Sequence, residues 1–312
     1  MNTKPITYNH HLGGGIYLEA ISVDPKLTER DLAELLTSKE GTAQLESDAI
    51  ACVRYAGSVD RFSDLSVHIN LERTYVVPPQ LQAYRDAVQK NSDAKGRYNG
   101  PVAIIEGAVE MPLRLMQGGY YDFIATKLGN VPHDLAPESY PSGKTVAELF
   151  GEWGIDREDR ARYLGFAQVL VTESGAKLNL VQRAKGMAIA PDCIAFSGST
   201  PNPKFVPGFD FHGYCRQHIN DEMDEEFQLK PEEFTLAGVH LFDDRLQSPF
   251  AALEINTPQS TRSLAERIHG DAQAIKEHPV LYSVPLEGID AVLNTFPVFP
   301  STVQVLRTLM NR

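Results

Sequence analysis

Basic surplus, long apolar runs and patterned cysteines are all missing from this 312-residue sequence, and these gaps narrow its reading first. Lysine and arginine number 29 against 41 aspartates and glutamates, a formal charge of -12. Such a balance repels phosphate backbones and anionic lipid unless cations cluster locally, so neither a nucleic acid nor a membrane is an expected partner. No stretch approaches the ~20 apolar residues of a spanning helix, and the opening MNTKPITYNHHLGGG has neither the basic start nor the apolar block of a secretory signal. Cys52, Cys193 and Cys215 are far apart and form no CxxC pair. Neither a disulfide framework nor a structural zinc site is indicated, and a cytoplasmic location is the expectation. Internal repeats and low-complexity tracts are absent as well.

What remains is the composition of a globular protein, 42% hydrophobic and 22% charged, long enough for one large domain or two ordinary ones. In LTERDLAELL at 27–36, Leu32, Leu35 and Leu36 share a face behind Thr28 as a candidate N-cap, and PPQLQAYRDAVQKN at 78–91 predicts a second helix. PVAIIEGAVEMPLRLMQ at 101–117 reads as strand, turn and strand. A Gly- and Pro-rich stretch over 118–160, with a short amphipathic piece at 144–153, then leads to a predicted boundary. It separates an N-terminal α+β accessory domain, residues 1–157, from a second domain, residues 158–312.

In the second part, YLGFAQVLVTESGAKLNLVQRA reads as a hairpin with Gly175 in its turn, and FTLAGVHLF and FAALEIN as further strands. SLAERIHGDAQAIKEH and PSTVQVLRTLMNR read as helical. The class expected is α+β, with a mixed sheet packed between helices.

The chemistry concentrates in HGYCRQHINDEMDEEFQL, residues 212–229. On a helix, Glu222, Glu225 and Glu226 converge within about one turn, and His218 joins them one turn earlier. Cys215, Ile219, Met223 and Phe227 form a separate apolar stripe suited to core packing. Clustered carboxylates repel one another, and a divalent cation relieves that repulsion, magnesium being the usual partner of carboxylate oxygens. The alternative is a solvated acidic face, which surface helices often carry.

Asp221-Glu-Met-Asp-Glu-Glu-Phe-Gln-Leu229 resembles the second half of the Nudix (MutT-like) signature at five of its seven specified positions. LNLVQRAKG at 178–186 is similar to the family's strand ending in a charged pair, and CIAFSGS at 193–199 stands in the place of its Gly-Gly turn. AGVHLF at 237–242 and VPLEGIDAVL at 284–293 continue the same order, so the likeness spans about residues 160–312. The departures are Asp221 for Arg, Gln228 for Gly, Gly213 for an upstream Glu, and Gly198 alone for paired glycines. MPLRLMQGGYYDFIATKLG at 111–129 resembles the linker of a UDP-glucose diphosphatase subfamily that carries an N-terminal extension.

This resemblance implies a Nudix-type α/β/α sandwich and hydrolysis of a nucleoside diphosphate linked to another moiety, a nucleotide sugar among the candidates. It implies magnesium, with manganese as the other ion, held by Glu222, Glu225, Glu226 and the Gly198 carbonyl. One glutamate would double as base, and Arg183, Gly198 and His218 would meet the substrate. A fourth acidic ligand would come from Asp243, Asp244 or Glu254, and a homodimer is an open expectation. The altered signature positions favour two rivals, a non-catalytic nucleotide- or protein-binding module and a biosynthetic enzyme with diverged phosphate chemistry.

Other signals have simpler readings. Pro141-Ser-Gly-Lys-Thr145 resembles the tail of a phosphate loop, but Glu138 stands where its first glycine belongs, so a turn and helix start is expected. His10-His11-Leu-Gly-Gly-Gly15 reads as a turn before the strand IYLEAISV. Ser197, Ser199 and Thr200 lack the Gly-x-Ser-x-Gly elbow of a nucleophile. Cys193 and Cys215 are expected as packed thiols, and Phe150 and Trp153 as core or interdomain contacts.

Overall fold

A computed structural model describes residues 4–37, 51–58, 67–94, 100–107, 113–126, 144–156, 160–183, 193–199, 211–244 and 249–310. The first part of the chain forms β1 (Thr7–Gly13), β2 (Ile16–Ser22), α1 (Glu29–Thr37), β3 (Ala51–Ser58), β4 (Val67–Thr74), α2 (Gln82–Ala94), β5 (Pro101–Ile105), β6 (Leu113–Gly119), α3 (Tyr120–Thr126) and α4 (Val146–Glu152). There follow β7 (Gly165–Thr172), β8 (Lys177–Gln182), β9 (Ile194–Ala195), β10 (Ser197–Ser199), α5 (Phe211–Phe227), β11 (Thr235–Asp244) and β12 (Phe250–Asn256). The last elements are α6 (Thr261–Ile268), α7 (Ala272–Glu277), β13 (Val280–Pro285), α8 (Ile289–Thr295) and α9 (Pro300–Met310).

The main sheet runs β1-β2-β13-β8-β7-β12-β11-β3, with β9 added to β8 and β10 to β7. It is mixed, because β12 pairs with β7 in parallel while its other pairings are antiparallel. The two-residue period of β7 explains its place in the centre. Phe166 and Leu170 enter one apolar cluster together with α5 and α6, whereas Ala167 and Val169 enter another with α1, α8 and α9. Helices therefore cover both faces, and a strand covered twice reads as a nearly continuous apolar run. The class is α+β, as expected.

The hairpin around Gly175 is present, with Gly175 at φ +102°. Its strands share only the register pairs Val171–Leu178 and Thr172–Lys177, and then diverge. Into the opening go β9, which pairs with β8, and β10, which pairs with β7. This wedge delivers Ser197, Gly198 and Ser199 to the middle of the sheet.

The boundary expected at 157/158 does not separate two sheets. Strand β2 pairs with β13 and β3 with β11, so elements from residues 1–157 extend the main sheet on both sides. The smaller sheet, β4-β6-β5, adds Ala103, Ile105, Leu113 and Leu115 to the α5-side cluster. Hydrogen bonds from Ile105 N to Arg162 O and from Leu164 N to Ala103 O cross the expected division. Sequence periodicity reports that a segment is a strand and is silent about its partner, so pairings across this position are not readable from spacing. Phe150 is buried in a satellite cluster with Trp153 against it, and Cys193 and Cys215 are buried thiols that form no disulfide. Thr145 caps α4 in a capping box with Glu148, the plain helix start expected there; residues 141–143 lie outside the described residues.

The apolar stripe of α5 behaves as its spacing predicts. Cys215, Ile219, Met223 and Phe227 are each 0% exposed, a burial worth roughly 1.5–3 kcal/mol for each large side chain. The helix stops where Gln228 turns to φ +53° and Leu229 N reaches back to Met223 O at 3.0 Å. That is the left-handed cap usually given to glycine. The stretch 263–278, read as helical, divides into α6 and α7 because Gly270 takes φ +83° and Asp271 then accepts from Gln273 N and Ala274 N.

Candidate metal and active site

Anchoring of the stripe fixes the rotation of α5, and rotation sorts the acidic residues. Glu226, beside Phe227, is buried; Glu222 is half-buried; Glu225 points to solvent. The fold thus brings Glu222 and Glu226 together and leaves Glu225 at the rim.

Glu226 Oε2 accepts a hydrogen bond from Ser197 Oγ on β10. His278, just beyond α7, has its Nε2 3.3 Å from Ser197 Oγ and 3.7 Å from Glu226 Oε2. Glu277 completes a group in which one ligating atom each of Glu226, Glu277 and His278 lies within 4.8 Å of the others. Two residues along β10, Ser199 Oγ lies 2.7 Å from His218 Nε2 and accepts from Gln168 Nε2 at 3.1 Å. His218 is buried, stacks on Phe166 with centroids 4.5 Å apart, and has Nε2 3.9 Å from Glu222 Oε1. Between the serines, a Cβ on Gly198 would stand 3.0 Å from Phe166 O, so β10 approaches β7 too closely for a side chain there.

Burial, together with repulsion from Glu226, pushes the Glu222 carboxyl up to about 8, against the opposing hydrogen bond from Ser199. Glu277 is also raised, by burial and then by the Glu226 charge, with His278 acting in the other direction. Burial takes the His218 imidazole down to about 4, so it is neutral near pH 7 and holds Ser199 as a hydrogen-bond partner. Among the described residues, no lysine or arginine forms an ion pair with Glu222, Glu226 or Glu277.

No family model matches this chain, and no curated protein matches it. Among solved structures, the NUDIX hydrolase from Alicyclobacillus acidocaldarius is 15% identical, over 48% of this chain and 91% of that one, with a TM-score of 0.34. MutT protein from Methanosarcina mazei Go1 is also 15% identical, over 48% and 92%, with a TM-score of 0.32. The NUDIX domain of Shewanella oneidensis NrtR, solved as a complex with ADP ribose, is 16% identical, over 54% and 99%, with a TM-score of 0.31.

Other residues singled out in the sequence lie elsewhere. The guanidinium of Arg183 is 5.0 Å from the Phe299 ring centroid, and burial lowers its pKa against the influence of Tyr163 and Tyr120. Glu254 Oε1 is 2.9 Å from His240 Nε2. Because Leu253 and Ile255 face α5, alternation turns Glu254 to the opposite side of the sheet, with Ala252 and Phe242, away from the other carboxylates. Asp243 and Asp244 end β11 opposite β3; their side chains, and Thr200, lie outside the described residues.

The fold also supplies Gln168, Glu277 and His278, which spacing did not single out. Their signal was weak, an adjacent Glu-His pair at the end of a helical segment before a strand. The assembled donors fit a divalent cation. Three carboxyl groups gather with no lysine or arginine ion pair among the described residues, in surroundings where an uncompensated charge is costly.

Proposed function

We propose that this protein is a metal-dependent hydrolase that cleaves the diphosphate of a nucleoside diphosphate linked to another moiety. The observation that carries the reading is buried Glu226 and half-buried Glu222 facing the Ser197–Ser199 strand, with no lysine or arginine ion pair among the described residues. The resemblance of residues 221–229 to the Nudix signature names the reaction, and the linker-like stretch at 111–129 favours a nucleotide sugar as substrate.

Glu222 and Glu226, with the Gly198 carbonyl nearby on β10, would hold magnesium or manganese, and Glu225 at the rim would be placed to meet the solvated phosphate side. When bound, the cation would stabilise charge on the phosphate oxygens and on the leaving group. Ser197 holds the Glu226 carboxylate through its hydroxyl, and the Ser199–His218 contact fixes the neighbouring stretch of β10. A glutamate freed of its proton near neutral pH is able to take one from the attacking water.

The test is incubation with a panel of nucleoside diphosphate sugars, dinucleoside polyphosphates and ADP-ribose, with and without magnesium or manganese, followed by mass spectrometry of the products. Metal-dependent release of a nucleoside monophosphate, abolished by Glu225→Gln combined with Glu226→Gln, is the expected result. No turnover across the panel overturns the reading. A ligand that binds tightly and stays intact with metal present would instead favour the non-catalytic binder, which the replacements at Asp221, Gln228 and Gly213 motivate.

A further inference from the structure

We infer that Glu226, Glu277 and His278 form a mixed carboxylate and imidazole site that takes a divalent first-row transition ion, manganese being the probe, in preference to magnesium. The inference rests on the hydrolase reading for what the ion does and on these residues alone for its presence.

Geometry comes first. Ligating atoms of the three residues lie within 4.8 Å of one another, and the imidazole Nε2 is 3.7 Å from Glu226 Oε2. Bonds of about 2.0–2.2 Å to a shared ion span such separations after small side-chain adjustment. Among the described residues, this is the group of three acidic, histidine or cysteine side chains that comes so close.

The two histidines near α5 differ in availability. His218 is committed, with Nε2 2.7 Å from Ser199 Oγ and its ring on Phe166. His278 is not. Its Nε2 makes a long 3.3 Å contact with Ser197 Oγ and lies 3.7 Å from Glu226 Oε2, and its Nδ1 has no hydrogen-bond partner although the residue is 7% exposed. An imidazole donor suits transition ions, whereas magnesium prefers an all-oxygen octahedron and gives up water reluctantly.

A second buried group lies on the same face of the sheet, with its Nε2 donating to Ser199 Oγ. Gln168 is 1% exposed, and its Oε1 has no partner. It lies directly opposite Ser197 in the β7–β10 register, so its side chain shares the face on which Ser197 touches Glu226 and His278. A buried acceptor left without a donor is costly.

The experiment uses the full chain, stripped with a chelator and titrated with manganese alone, then in competition with magnesium. Electron spin-echo spectra of the manganese-loaded protein should contain a nitrogen-14 coupling, a measurement on the unaltered sequence that no folding defect can confuse. The coupling should vanish in His278→Asn and persist in His218→Asn. Manganese affinity should fall at least about tenfold in His278→Asn and in Glu277→Gln, with circular dichroism reporting their fold. Bound manganese without nitrogen coupling, coupling lost in His218→Asn but not in His278→Asn, or magnesium bound as tightly as manganese would each overturn the inference. Since no nucleotide is present, failure of the hydrolase reading leaves these results untouched. Magnesium-driven hydrolysis with its metal preference unchanged in His278→Asn would refute this site and spare the hydrolase.

Discussion

Glu233 and Glu226 stand a few residues apart, just after α5 and at its end, yet their surroundings are opposite. Glu233 meets both terminal nitrogens of Arg267, at 2.9 and 2.5 Å, and accepts from Lys230 N. The Arg267 hydrogen bonds, then the backbone bond, hold its carboxyl down at about 2. Around Glu226 the chain provides hydroxyl and imidazole groups and two more carboxyls, and Glu222 is pushed up to about 8. A carboxylate that serves the fold finds its cation within the chain. One left without such a partner in a buried place is ready for a cation from outside, and that contrast marks a functional site more sharply than acidity alone.

The largest test of this contrast is catalytic. Glu226→Gln should reduce metal-dependent turnover at least about 100-fold, since even groups that only support a metal ligand cost 10–100-fold, while Glu233→Gln should leave the rate within about twofold. Steady-state rates on the first accepted substrate decide it, and equal losses in the two variants would erase the distinction.

The next test is stability without metal. Glu222→Gln keeps the shape and removes the cost of protonating, on folding, a carboxyl raised to about 8, so in chelator at neutral pH it should stabilise the fold by about 1–2 kcal/mol, read from urea unfolding. Destabilisation would mean that the carboxyl makes favourable contacts there that outweigh this cost.

A smaller gain is expected outside the site. Gln228 holds φ +53° at the helix cap, and Gln228→Gly should add up to about 1 kcal/mol in the same measurement.

The smallest effect concerns acid. Because the folded-state pKa of Glu233 is depressed from 4.5 to about 2, its clasp contributes fully above 4.5 and is lost as pH falls toward 2. The gap in melting temperature between the unaltered protein and Glu233→Gln should therefore close across that window. Salt should shrink it too, as befits a surface pair.

Much of the fold was legible from spacing. The stripe Cys215-Ile219-Met223-Phe227 is buried as its period of four demands, and the Gly175 hairpin forms where the turn residues place it. The position at 228, where the resembled signature has glycine, keeps the left-handed backbone with glutamine in it. Legibility fell off for the site. Helical spacing grouped Glu225 with Glu222 and Glu226, but a degree of burial depends on what packs beside each residue, and Glu225 has solvent. Glu254 was an equal candidate beside Asp243 and Asp244 until strand alternation sent it to the far face with His240.

Spacing sufficed for α5 and for the divided faces of β7 because helix and strand periods are set by bonded geometry within a few residues. The meeting of Glu226 with Ser197, Glu277 and His278 required the β7–β8 hairpin to splay, β10 to enter the gap and β13 to pair with β8. Those are contacts between residues remote in sequence. Their energy comes from joint burial of the sheet against its two helical layers, which no local pattern encodes.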